Sequence, residues 1–188
     1  PRYFQDAIAF YRLYLKAVGN RKESYEMHFW LGELLYKLKR YEGAAKEYTV
    51  AMEINPKGKY SKDAGYNTIL AYHRLMKQRR MDVSDVRWRK TSKDIQKKPL
   101  PALGKKFLEA CARYIKYFPK GKRGIDVAYK AAQMFYRFNH LKEALPRFYF
   151  LITKHPRHDY AMFSAHYILD TYNLKEQWAK LNKWSWKF

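Results

Sequence analysis

Residues 25 to 58 and residues 125 to 158 carry one pattern twice, offset by 100. Tyr36, Tyr41, Ala44, Tyr48, Ala51 and Pro56 answer to Tyr136, Leu141, Ala144, Phe148, Leu151 and Pro156. A helix-turn-helix unit of about 34 residues has this spacing. Each such unit is a pair of helices that cannot bury its apolar faces alone, so neighbouring units must stack and share one core. The pattern therefore predicts an all-α chain without sheet, a solenoid of about nine helices paired antiparallel.

Residues 2 to 18 read as one amphipathic helix, with Phe4, Ala7, Ile8, Tyr11, Tyr14 and Leu15 at helical spacing. This is the pattern of the second helix of a unit. It implies that a first helix precedes Pro1 and that the chain is a fragment of a longer protein. The first full unit follows over 25 to 58. Leu31, Gly32, Leu35 and Tyr36 lie on its first helix, where Gly32 lets the paired helix come close, and Pro56 stops its second helix. Residues 61 to 76 repeat the first-helix pattern, with Tyr66 for Trp30, Ala71 for Leu35 and Tyr72 for Tyr36. Its partner helix is delayed to 102 to 118, with Phe107, Ala110, Tyr114 and Tyr117. The second full unit is 125 to 158, and a last pair covers 160 to 173 and 175 to 186. Residues 1 to 188 thus read as a single repeat array with an inserted basic loop at about 79 to 101. Residues 79 to 98 hold few apolar anchors and are expected to be more mobile than the flanking helices.

The formal charge is +22, from 39 Lys and Arg against 17 Asp and Glu. Such an excess favours anionic partners, although it is spread along the chain, and a solvated basic surface is the plain alternative. The chain is 18% aromatic and 47% apolar, too rich in core-forming residues for a disordered segment. No apolar run approaches the roughly 20 residues of a membrane span. The single Cys111, in AlaCysAla on a predicted helix, reads as a small core residue. His155 and His158 stand three apart beside Asp159, but Pro156 breaks the helix that would present them together, and no further set with metal-ligand spacing is evident. With no Gly-rich phosphate loop, metal-protease motif or nucleophile elbow, the reading is of a protein that is not an enzyme and takes no cofactor.

Leu31-Gly32, Tyr36, the run Tyr41 to Ala45, Tyr48, Ala51 and Pro56 together resemble a tetratricopeptide repeat, and the resemblance extends over most of the chain. PheGlnAspAlaIle at 4 to 8 with Tyr11, and AlaArgTyrIleLysTyrPhePro at 112 to 119, are similar to bacterial cell-envelope repeat proteins. Among these are the TolA-binding protein of the Tol–Pal system and the outer-membrane assembly lipoprotein. Tyr136 to Phe148, with Asn139-His140, resembles repeat proteins of gliding motility.

The resemblance implies a right-handed solenoid whose first helices line a concave protein-binding groove. Its positions here are Phe29, Glu33, Tyr36 and Lys37, then Tyr72 and His73, then Tyr129, Gln133, Tyr136 and Arg137. The recurring Tyr36, Tyr72 and Tyr136 serve equally as peptide contacts or as packing between repeats. Phe29 and Glu33 stand where carboxylate-clamping members carry Lys and Asn, which argues against capture of that class of C-terminal tail. The function implied is a non-catalytic protein–protein scaffold in a cell-envelope or motility assembly. Its implied place is periplasmic or at the outer membrane, and otherwise cytoplasmic. The alternative from another class is nucleic-acid or anionic-polymer binding through the basic surface, with Arg87, Trp88, Arg89 and Lys90 in the insert neutralising phosphates and stacking.

Overall fold

The computed structural model describes residues 2–81 and 91–185. Among them every regular element is helical. The α-helices are α1 (Arg2–Val18), α2 (Tyr25–Lys37), α3 (Tyr41–Ile54), α4 (Ser61–Gln78), α5 (Ala102–Tyr117), α6 (Gly124–Arg137), α7 (Leu141–Lys154), α8 (Asp159–Leu174) and α9 (Trp178–Ser185), with single 3-10 turns at Lys22–Ser24 and Ser92–Ile95. The chain divides into two compact units. One is Pro1–Met81 with Glu109–Gly121, and the other is Asp82–Leu108 with Lys122–Phe188.

In the first unit α1 packs on α2, α2 on α3 and α3 on α4. The core collects Ile8, Phe29, Leu31, Leu35, Ala44, Ala45, Tyr48, Ala51, Met52, Ala64 and Ala71. Small residues set the helix spacing. A Cβ placed on Gly32 would lie 2.7 Å from the Tyr48 ring, and one on Gly65 would lie 2.7 Å from the Met52 sulfur. Ala44, Ala45 and Ala51 are fully buried in the same layer.

In the second unit α6 packs on α7, α7 on α8, α6 also on α8, and α8 on α9. Tyr129, Ala132, Tyr136, Leu141, Ala144, Phe148, Leu151, Ile168 and Tyr172 form its core. The correspondence at an offset of 100 is geometric as well as sequential. Phe29 stacks on Tyr60 at 4.7 Å and 10°, and Tyr129 stacks on Tyr160 at 4.2 Å and 7°.

Four helix ends share one turn. After α2, α4, α6 and α8 the chain enters the left-handed region at Lys39, Arg80, Asn139 and Glu176, with φ between 54° and 60°. In each the left-handed residue donates its N–H to the carbonyl three residues back, and the next residue donates to the carbonyl five back. Lys39 to Tyr36 and Arg40 to Leu35 are one example, Asn139 to Tyr136 and His140 to Phe135 another. This is the Schellman ending, which satisfies carbonyls that the helix leaves open. Glycine is the usual occupant of the left-handed position because it has no Cβ to clash, yet none of the four is glycine.

Tyr14, at helical spacing with Phe4, Ala7 and Tyr11 on α1, is 42% exposed. Residues 82 to 90 of the insert lie outside the described residues, and residues 91 to 98 are bonded within the second unit. Asn139 Nδ2 donates to the carbonyls of Asp94 (2.8 Å) and Gln96 (2.6 Å), and the Lys98 N–H donates to the Phe138 carbonyl at 2.9 Å. His140 Nε2 donates to the Lys98 carbonyl, Lys97 pairs with Glu143 at 3.5 Å, and Ile95 packs against the second unit's core. The anchors are mostly backbone carbonyls, which no apolar count along the sequence could register.

Candidate protein-interaction surface

The positions implied by the resemblance divide sharply by burial. Phe29 and Tyr129 are buried in their stacks, and Tyr136 is 1% exposed. These three are core and cannot line a groove, a correction with a simple cause. Their rings face the paired second helix: Phe29 lies 5.9 Å from Tyr48, and Tyr136 lies 5.9 Å from Phe148. Tyr72 is half-buried against the first unit's core. His73 and Arg137 are half-buried. The remaining basic-loop candidates, Arg87, Trp88, Arg89 and Lys90, lie outside the described residues.

Hydrogen bonds between α2 and α4, and between α6 and α8, recur at a separation of 34 residues. Asn67 Nδ2 donates to Glu33 Oε1 at 2.9 Å, and Gln133 Nε2 donates to the Tyr167 hydroxyl at 3.1 Å. The Tyr136 hydroxyl donates to Asp170 Oδ2 at 2.5 Å, and the Tyr160 hydroxyl donates to Asp126 Oδ1 at 2.8 Å. Glu33 also accepts the Tyr48 hydroxyl at 2.7 Å. Glu33 and Gln133 are therefore joints between helices. Burial, and then the bond to Glu33, holds the Tyr48 phenol protonated far above its ordinary value. Burial and the carboxylate of Asp126 push Tyr160 up to about 12.

Glu33, Tyr36 and Lys37 do come together on an open groove of about 660 Å³ between α1 and α2. Tyr3, Phe4, Ala7 and Tyr11 of α1 form one wall, and Trp30, Glu33, Leu34, Tyr36 and Lys37 of α2 form the other. Tyr36 packs edge-on to Tyr41 at 5.2 Å, and the Lys37 ammonium lies 4.9 Å from the Phe4 ring centre. The groove is aromatic, with one carboxylate and one ammonium at its edge, a composition suited to a partner helix or peptide. Sequence reasoning missed its α1 wall and the exposed stripe beside it: Tyr3, Phe10, Leu13 and Tyr14 are all well exposed. The available signal was that α1 carries apolar residues over much more of its circumference than one buried stripe needs.

A second recess, of about 420 Å³, is lined by Ile125, Lys154, His155, Pro156, Arg157 and His158. His158 Nδ1 accepts the Tyr160 N–H and caps α8. Among the described residues no group of three His, Cys, Asp or Glu side chains converges as a metal site would require. Cys111 is buried. No helix of the described residues is long and apolar enough to cross a membrane. No protein-family model matches this chain, and no curated protein sequence does.

Proposed function

We propose that this chain is a non-catalytic protein-binding scaffold built as a tetratricopeptide-like right-handed solenoid of antiparallel helix pairs. The binding surface includes the α1–α2 groove. The observation that carries the reading is the groove itself, with Tyr36, Lys37 and Trp30 facing the aromatic wall of α1. The hydrogen bonds at a spacing of 34 residues support the repeat architecture, since stacked identical units put equivalent first-helix positions side by side. A cell-envelope or motility assembly, at the periplasmic or outer-membrane face, is the setting suggested by the resemblance of residues 4 to 11 and 112 to 119 to envelope repeat proteins.

A photo-crosslinking residue placed at Lys37 tests the reading. Crosslinks to a defined protein partner, absent when the same residue is placed at Lys120, are expected. The second reading, anionic-polymer binding, is favoured by the charge. The chain carries 39 basic against 17 acidic side chains, a formal charge of +22. That excess should give weak, salt-sensitive retention on heparin with little sequence preference. Tight, saturable oligonucleotide binding at physiological salt, with no protein crosslink at Lys37, would replace the scaffold reading by the polyanion one.

A further inference from the structure

We propose that the recess beside the α7–α8 turn binds an aromatic ring that carries a phosphate group. The recess, of about 420 Å³, is lined by Ile125, Lys154, His155, Pro156, Arg157 and His158. The inference goes beyond the scaffold reading and does not depend on it.

The first unit shows what fills this place. Its α3–α4 turn corresponds to the α7–α8 turn at the offset of 100: Asn55, Pro56, Lys57, Gly58 and Tyr60 answer to His155, Pro156, Arg157, His158 and Tyr160. The two backbones bond alike. The Gly58 N–H donates to the Asn55 carbonyl at 2.9 Å, and the His158 N–H to the His155 carbonyl at 3.0 Å. The Ser61 N–H donates to the Gly58 carbonyl, and the Ala161 N–H to the His158 carbonyl. In the first unit the Tyr25 ring lies against this turn and is buried. A Cβ on Gly58 would lie 2.6 Å from that ring, so glycine is what admits it. In the second unit Ile125 stands for Tyr25 and His158 for Gly58. The second unit thus has a recess where the first has a ring. Its size, with the apolar Ile125 and Pro156 in its lining, suits another ring.

The polar lining is basic throughout. Lys154 and Arg157 bring permanent positive charge and His155 and His158 bring imidazoles, while among the described residues no carboxylate lines the recess. Asp126, next to Ile125, is held by Lys130 and by the Tyr160 hydroxyl, each at 2.8 Å. Asp159 opens α8 and is outside the lining. His158 Nδ1 accepts the Tyr160 N–H at 3.1 Å. A neutral imidazole bound in this way carries its proton on Nε2, as a donor for an anion. Two cations and an imidazole donor match a phosphomonoester, which carries nearly two negative charges at neutral pH and presents its oxygens as strong acceptors. A carboxylate offers less charge and fewer oxygens, and is the poorer match.

The probe is phenyl phosphate, added to the full chain at physiological salt and followed by amide chemical shifts. Saturable shifts should appear at Ile125, His155 and His158. Inorganic phosphate, which lacks the ring, and benzoate, which lacks the second charge, should each bind about tenfold more weakly. Arg157→Gln should weaken phenyl phosphate by about tenfold, while Lys57→Gln, at the matching place of the first unit, should leave it unchanged. Ile125→Tyr with His158→Gly copies the first unit and should abolish binding, with the fold kept by circular dichroism. Were that pair to unfold, the contrast of Arg157→Gln with Lys57→Gln, both at exposed residues, still decides. A phosphotyrosyl peptide that binds as tightly as phenyl phosphate assigns the ring to a partner protein's side chain, and one that is excluded assigns it to a free small molecule. Absence of saturable shifts, equal affinity for inorganic phosphate or a preference for benzoate would overturn the proposal. So would equal losses from Arg157→Gln and Lys57→Gln, or binding kept by the Ile125→Tyr and His158→Gly pair, since the chain's general positive charge would then be the cause. None of these outcomes bears on crosslinking at Lys37.

Discussion

The Tyr136 hydroxyl donates to Asp170 Oδ2 at 2.5 Å across 34 residues of chain, from a ring that is 1% exposed. One side chain thereby joins two layers, its ring packing on Phe148 of α7 and its hydroxyl reaching α8. Tyr136→Phe keeps the ring and removes the bond, leaving a half-buried carboxylate with one donor fewer. The expected loss is about 1–2 kcal/mol in denaturant unfolding. Tyr136→Ala would empty core volume and cost about 3–5 kcal/mol, so it reports on folding and not on partner binding. An unchanged midpoint for Tyr136→Phe would show that the bond contributes nothing.

Gly32 and Tyr48 meet closely enough that any Cβ must displace a buried ring. Gly32→Ala gains about 1 kcal/mol of helix propensity against an overpacking cost of about 1–3 kcal/mol. A net destabilisation is expected, despite the usual benefit of Ala over Gly in a helix. The fully buried Ala44 has no such compensation, and Ala44→Leu should cost about 1–3 kcal/mol. A raised melting temperature for either variant contradicts this packing.

Lys39 is exposed and holds φ at 59° in the turn between α2 and α3. Its Cβ meets the following carbonyl there, a cost that glycine does not bear. Lys39→Gly should stabilise the chain by about 0.5–1 kcal/mol, read as a rise in melting temperature. Destabilisation would mean that the turn is not left-handed in solution.

Asn139 combines a left-handed backbone at φ 60° with two side-chain bonds to the carbonyls of Asp94 and Gln96. Asn139→Gly separates these roles, since the turn is kept and the bonds are lost. Faster amide exchange confined to residues 91 to 98 is the expected result, with α6 and α7 unchanged. Unaltered exchange there would show that these bonds do not hold the segment.

Raised tyrosine pKa values make the fold sensitive to alkali. Burial first, then the Asp126 bond, raises Tyr160 from 10.0 to about 12. Burial also raises Tyr48, Tyr129 and Tyr149. A group whose folded value lies above its unfolded value stabilises fully below the unfolded value, because both states are then protonated. Above pH 10 the unfolded chain ionises first, and stability falls until the folded value is passed. Melting temperature should therefore hold steady up to about pH 9 and drop steeply between about pH 10 and 12. Tyr160→Phe should soften that drop and leave the neutral-pH slope unchanged. A pH-independent melting temperature through pH 11 would contradict these environments.

The helices of the described residues and their ends were legible in the sequence, because periodicity, Pro56, Pro156 and the matched alanines act locally or at fixed spacing. Gly32 was read as a close-approach position, and a Cβ there would meet Tyr48 at 2.7 Å. The site was less legible. Helical spacing says which residues share a face, but not which neighbour covers that face. Tyr36 and Tyr136 occupy one position of the repeat, yet Tyr36 lines an open groove while Tyr136 is sealed by α8. Tyr14 and Leu151 match in the pattern and differ in exposure for the same reason.

The sequence by itself determined the helices, their order and their repeat, since these follow from backbone preference and side-chain period. Tertiary structure alone decided which aromatic rings are core, which line a surface, and where residues 91 to 98 are tied. Burial is a property of a residue's neighbours, and neighbours such as Asp170 for Tyr136 and Asp94 for Asn139 lie 34 and 45 residues away along the sequence.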